Sequence, residues 1–269
     1  MSIAAAFADG TVVAKRNLIK IKRVPEILIW TTMSPIMFVL LFGYVFGGSI
    51  NIPGGVSYRE WLIAGVFAQT VIFGSTFTGA GLAEDMTKGI IDRFRSLPMA
   101  HSAVLVGRTT SDILYNSISI LVMSLAGLII GWRIRTGVLA AIGGFLLLLL
   151  FAYAVSWIMA LVGMKVKSLE VFQNASFMFI MPVTFVAGTF VRPETLPGPL
   201  ETFANWNPVT AVATAVREAF GNAPPAGVES AQVWSLQNPV AYTLIWVAII
   251  LAIFVPLSIR QFRKAAARQ

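Results

Sequence analysis

Glu84-Asp85-Met86-Thr87-Lys88-Gly89-Ile90-Ile91-Asp92-Arg93-Phe94-Arg95-Ser96-Leu97-Pro98-Met99 lies between two long apolar runs, residues 61–83 and 113–131. Six of its sixteen residues are Asp, Glu, Lys or Arg, in a chain where 12% are. Apolar runs of roughly 20 residues are long enough to cross a bilayer. The charged stretch therefore reads as the place where the chain leaves the membrane and returns. Gly89 breaks the helix that emerges. Residues 90–97 make about two further turns along the surface. Pro98 ends them, because the residue before a proline is pushed out of the helical region. A plain polar connection between two spans has the same composition.

Working outward, the 269 residues are 57% apolar, with a mean hydropathy of +0.79. A soluble domain carries roughly 25% charged residues, about twice the share here. The solvent for so much apolar surface is lipid. There is no cysteine, so disulfides, thiolate metal sites and a cysteine nucleophile are excluded. Five Lys or Arg precede residue 27, and the first apolar run, residues 27–50, is longer than the apolar region of a signal peptide. It reads as a retained span.

Six apolar runs follow, at 27–50, 61–83, 113–131, 138–163, 171–190 and 240–259. Pro35 and Pro182 fall inside the first and fifth, where neighbouring helices can satisfy the freed carbonyls. Gly43, Gly47, Gly48, Gly74, Gly79 and Gly81 permit close helix contact, most simply within the subunit. Ahead of the spans, residues 11–25 pattern as an amphipathic helix. Val13, Ala14, Leu18, Ile21 and Val24 share one arc, and Lys15, Arg16, Lys20, Lys22 and Arg23 share the other. Such a helix lies in the interface with its basic face toward lipid headgroups. Pro25 turns the chain into the bilayer.

The basic residues set the orientation. With both termini inside, the inner segments hold fifteen of the twenty Lys and Arg, and the outer segments hold Arg59, Arg133, Arg135, Arg192 and Arg217. Glu60, Glu194, Glu201, Glu218 and Glu229 balance those five, so the formal charge of +8 lies inside. This is a topology signal rather than a nucleic-acid patch. Arg133 and Arg135 depart from the rule in a short turn after Trp132, whose ring suits an interface.

The longest non-spanning stretch, residues 191–239, contains its own helix signal. Asn207 is an N-cap followed by Pro208, and Gly221 stands where a C-terminal glycine belongs. Val209, Val212, Ala213, Val216 and Phe220 share one face, while Thr210, Thr214, Arg217 and Glu218 lie mostly off it. Residues 208–220 span only about 20 Å. The expectation is an outer-surface or re-entrant helix.

No chemistry of its own is apparent. A phosphate-cradling P-loop needs a Gly-Lys pair, and none occurs. The interiors of the six runs hold no Asp, Glu, Lys, Arg or His, with Asp112 and Glu170 only at inner ends, which argues against ion coupling. The single histidine, His101, is not part of any H-E-x-x-H or other catalytic motif. An apolar route with scattered polar groups remains. Thr32, Met33, Ser34 and Phe38 offer it in the first run, Phe67, Gln69, Phe73, Thr76 and Phe77 in the second, and Asn174, Phe177 and Phe185 in the fifth. Contacts among the helices themselves, or with lipid, account for the same residues equally simply.

Glu84-Asp85, then Gly89, then Arg93-Phe94-Arg95-Ser96-Leu97-Pro98 resembles the first cytoplasmic loop of ABC-2 type permeases. Those are the membrane subunits of ATP-driven exporters, and the nearest branch is the actinobacterial daunorubicin-resistance type. Lys22-Arg23-Val24-Pro25, and Leu196-Pro197 with Trp206-Asn207-Pro208-Val209-Thr210 and Arg217, resemble further parts of the family. The likeness covers nearly the whole chain. It implies one all-α transmembrane domain over 1–269: six transmembrane helices, an N-terminal interfacial helix, a short cytoplasmic coupling helix in 84–99, and an outer re-entrant or surface helix before the last span. It implies that Glu84, Asp85, Lys88, Gly89, Arg93, Phe94, Leu97 and Pro98 dock on a separate ATP-binding subunit. Two such subunits would join two permeases, identical or not, in the cell membrane. ATP and magnesium would bind the partner, with no cofactor or metal in this chain. Spans one, two and five would line a groove for a hydrophobic or amphipathic drug, antibiotic or lipid. A glycan-exporting permease, an ATP-independent channel or ion-coupled carrier, and an intramembrane enzyme are the alternatives.

Overall fold

The computed structural model describes residues 25–47, 50–89, 101–225 and 233–267. The expected interfacial helix, with Lys15, Arg16, Lys20, Lys22 and Arg23, lies outside the described residues, as do residues 90–100. Among the described residues there are helices and turns and no strand. Helix α1 (Pro25–Leu40) runs into a π-helical turn, Leu41–Phe46. It is followed by α2 (Tyr58–Gly74), α3 (Thr76–Thr87), α4 (His101–Ile130), α5 (Val138–Gly163) and α6 (Leu169–Val186). Short helices α7 (Gly198–Asn205), α8 (Pro208–Phe220) and α9 (Trp234–Gln237) lead to α10 (Pro239–Ala267).

Among the described residues, five stretches are long and apolar enough to cross a membrane: Tyr58–Thr87, Leu105–Ile130, Val138–Gly163, Leu169–Val186 and Pro239–Lys264. The first expected span falls on α1 and its π turn, where the apolar helix Met33–Val45 is shorter. The third differs most from its expected start at 113. Helix α4 begins at His101, because Arg108 and Asp112 turn inward to partners on α3 and so belong to the helix. The fifth ends at Val186 rather than 190. There Asn207 Nδ2 donates to the Val183 carbonyl at 2.8 Å, and Thr210 Oγ1 accepts from the Gly188 amide at 3.1 Å. The start of α8 thus satisfies the end of α6.

The stretch α2–α3 is the centre of the molecule. Within its most apolar window 83% is buried, against 22–44% for the other four. Leu62, Ile63, Val66 and Phe67 on α2 pack with Leu148 and Phe151 on α5 and with Val212, Val216 and Phe220 on α8. A second cluster gathers Leu82 of α3, Leu105 of α4, Trp157 of α5 and Phe262 of α10. Helices α3 and α5 touch backbone to backbone: a Cβ on Gly163 would run into the Gly79 carbonyl, and one on Gly79 into the Met159 carbonyl. Leu121, Ile129, Leu139 and Phe179 stand exposed on the outer faces, the arrangement expected where the surroundings are hydrocarbon.

Helix α8 carries the capping that its flanking residues suggest. Asn207 Oδ1 accepts from the Val209 amide at 2.9 Å, Pro208 takes the first helical position, and Gly221 adopts φ +71°. Its environment departs from the expected two-faced helix, because Thr210 and Arg217 are buried along with the apolar face. Arg217 finds partners in α2 and in the segment after α6, and Thr210 in the segment after α6, while Glu218 stays exposed.

Candidate functional site

A cavity of about 230 Å³ opens between α1 and the α2–α3 stretch. Ser34 and Phe38, one helical turn apart, face it from α1 with Pro35; Gln69 and Phe73, again a turn apart, face it from α2; Thr76 and Phe77 follow on α3. Six of the sequence-marked residues, Ser34, Phe38, Gln69, Phe73, Thr76 and Phe77, therefore meet at one place. Phe38 continues into an aromatic group with Phe42, Phe185 and Phe190, at centroid distances of 6.2, 6.0 and 5.7 Å. That brings Phe185 of α6 to the same region.

Other marked residues lie elsewhere. Phe67 is fully buried and packs on Trp132, Phe145 and Phe220, so it belongs to the core. Met33, Asn174 and Phe177 are exposed. The side chain of Thr32 lies outside the described set. Pro35 lines the cavity as well, although the sequence marked it only as a proline inside a span.

The wall of the cavity includes a break in the central helix. Helix α2 stops at Gly74 and α3 starts at Thr76. Ser75 Oγ donates to the carbonyls of Val71 at 2.7 Å and, across to α5, Ala152 at 2.9 Å. The Thr78 amide, in the first turn of α3, donates to Asp112 Oδ2 of α4 at 3.2 Å. Asp112 thus caps α3 from a neighbouring helix. A Cβ on Gly74 would strike the Asn116 carboxamide, so α4 sits close against the break.

The α3 end of this stretch carries the charges. Glu84 and Lys88 form an exposed pair at 2.6 Å, one turn apart. Gly89 adopts φ +64°, a conformation that glycine accepts without strain. Asp85 is 5% exposed and pairs with Arg108 of α4; Gly81 leaves room for that guanidinium. Asp85 is therefore held between helices. Arg93, Phe94, Leu97 and Pro98 lie outside the described residues. Asp85 and Arg108 lie near the facing ends of Tyr58–Thr87 and Leu105–Ile130, and Asp112 lies one turn further into the second.

The opposite end of the stretch is a pinned polar network. Arg135 makes a two-pronged contact with Glu60, at 2.8 and 3.0 Å. Trp132, expected at an interface, is buried. Its indole N–H donates to Asn222 Oδ1 at 2.7 Å, because its ring fills the space between Phe67 and Phe220. Arg217, 3% exposed, lies 3.5 Å above the Trp61 ring centre. Its Nε donates to the Trp61 carbonyl at 3.0 Å and its Nη2 to the Thr189 carbonyl at 3.2 Å. Burial pulls the guanidinium down to about 9, so it stays charged at neutral pH. Among the described residues no group of three or more His, Cys, Asp or Glu is placed to hold a metal.

The ABC-2 type transporter family matches residues 10–220. The chain is 32% identical over 248 residues to the daunorubicin resistance ABC transporter permease protein DrrB1 of Streptomyces coeruleorubidus, covering 92% of this chain and 83% of that protein. It is 22% identical over 233 residues to the probable doxorubicin resistance ABC transporter permease protein DrrC of Mycobacterium tuberculosis, covering 86% and 80%. Matched over most of its length and built from apolar helices around one broken central stretch, the chain belongs to the ABC-2 type transporter family, as a multi-pass membrane permease.

Proposed function

We propose that the chain is the membrane subunit of an ATP-driven exporter that moves a hydrophobic drug, antibiotic or lipid outward. The observation that carries this reading is the position of the aromatic-walled cavity. Its wall residues Gln69, Phe73, Thr76 and Phe77 lie on the same α2–α3 stretch that ends in Glu84, Lys88 and Gly89. A push on residues 84–99 therefore travels along one packed element to the cavity. Two ATP-binding subunits bind and hydrolyse ATP with magnesium, and this chain contributes no nucleotide site. Two permease chains assemble around the path. Six spans, counting α1 with its π turn, put both termini in the cytoplasm, with residues 11–25 as an interfacial helix and α8 on the outer side. The relatives' names point to daunorubicin and doxorubicin resistance.

The test is purification of the tagged chain in mild detergent from its own host, with mass spectrometry of what accompanies it. A stoichiometric ATP-binding subunit, lost in Arg93→Glu and Leu97→Asp while membrane insertion persists, is the expected result. Normal efflux by both variants would sink the docking role. One observation favours a second reading: Asp112 is buried within the Leu105–Ile130 stretch, the kind of carboxylate that ion-coupled carriers use. Transport by the chain alone in vesicles, driven by a proton gradient without ATP, would establish that reading instead.

A further inference from the structure

We infer that the carboxamide of Gln69 is the specificity-determining group of the cavity, and that it selects aromatic ligands bearing a hydroxyl. This rests on the reading of the cavity as a transport site. Gln69 lines the cavity and is 3% exposed, yet its Oε1 has no hydrogen-bond partner. Buried polar groups in folded proteins are nearly always paired, and an orphan carboxamide within a cavity wall is a place where a ligand can supply what the protein does not. Of the two hydroxyls on the wall, Thr76 commits its proton to the Phe73 carbonyl at 2.7 Å, and Ser34 stands on α1, across the cavity from α2.

The surroundings define the ligand. Phe38, Phe73, Phe77 and Pro35 supply flat apolar walls, and no lining residue is charged. A carboxylate would find no cation and an ammonium no anion. A carboxamide both donates and accepts, and so does a hydroxyl. An apolar cavity of about 150 Å³ accommodates benzene, so about 230 Å³ holds one or two fused rings. A lipid tail fits the walls but leaves Gln69 unpaired. A site built to bond a hydroxyl discriminates against an isostere lacking it far more strongly than an apolar pocket discriminates by size.

The test uses the full-length chain in lipid nanodiscs, without nucleotide, with two probes of matched shape: 2-naphthol and 2-methylnaphthalene. Equilibrium dialysis against empty nanodiscs subtracts partitioning into lipid. Wild type should bind 2-naphthol about tenfold more tightly than 2-methylnaphthalene. Gln69→Leu should abolish that preference while still binding 2-methylnaphthalene, which also reports that the cavity survives. Equal affinity of the two probes for wild type overturns the inference, whatever the variant does. So does binding no greater than that of empty nanodiscs, or a preference that persists in Gln69→Leu. An affinity difference with no ATP-binding subunit recovered would count against the exporter reading and leave Gln69 in place. Equal affinities with the subunit recovered would do the reverse.

Discussion

Arg217 shows how much one residue can hide from a helical wheel. Plotted along α8 it sits off the apolar face, as a solvated side chain would. In the fold its planar guanidinium lies on Trp61 and donates to two main-chain carbonyls, one from α2 and one from the segment after α6. It needs a hole in α2 to do so. A Cβ on Gly65 would collide with Arg217 Nη2 and the Thr189 carbonyl. Gly65→Ala should therefore overpack this junction and cost about 1–3 kcal/mol, seen as a lowered thermal midpoint of the detergent-solubilised chain. Gly143→Ala is the control: nothing lies within 4 Å of a Cβ there, and alanine favours the helix by about 1 kcal/mol. If both variants melt alike, the Gly65 contact does not matter.

At the scale of elements, the break between α2 and α3 is maintained from outside. The Thr78 amide donates to Asp112 Oδ2, and Ser75 ties the break to Ala152 of α5. Asp112→Leu should leave that amide unpaired at a cost of about 1–3 kcal/mol, while Asp112→Asn keeps an acceptor and most of the stability. Hydrogen exchange at the Thr78 amide should quicken in the leucine variant alone; equal exchange in all three proteins would exclude the cap. Helix existence and apolar character were legible along the chain, since they are set by runs of neighbouring residues. The caps of α8 were legible because Asn207, Pro208 and Gly221 act locally. The break was not, because Gly74 and Ser75 look like ordinary small residues until Asp112 is beside them. For the same reason the start of α4 was misread: Arg108 and Asp112 look like loop residues unless their partners on α3 are known. Phe67 and Phe73 share a residue type and a helix, and only packing sends one to the core and the other to the cavity.

For the molecule as a whole, orientation rests on charge. Fifteen Lys and Arg fall in the segments assigned inside, and the five assigned outside are each held. Arg59 lies 4.4 Å above the Tyr44 ring, Arg133 donates to the Leu128 and Trp132 carbonyls, and Arg135 pairs with Glu60. Arg192 contacts Glu194 at 3.4 Å, and Arg217 is enclosed by α2. Arginines already engaged in the fold exert less pull toward the inner surface than solvated ones, which reconciles them with the positive-inside bias. The chain has no cysteine, so single cysteines report cleanly. Ile134→Cys should react with a membrane-impermeant maleimide in intact cells, and Lys167→Cys only after permeabilisation. The opposite pattern would invert the topology.

The depth of the α2–α3 stretch has a consequence for synthesis. A ribosome delivers it to the membrane before α4, α5, α6 and α8, which cover most of it, exist. It is also less apolar than α4, α5 and α10. For that interval Asp85 waits for Arg108, Glu60 for Arg135 and the Trp61 carbonyl for Arg217. The newborn chain thus passes through a stage in which its future centre is its most lipid-averse surface. The insertion machinery, or a neighbour held beside it, has to shelter that segment until the later helices arrive.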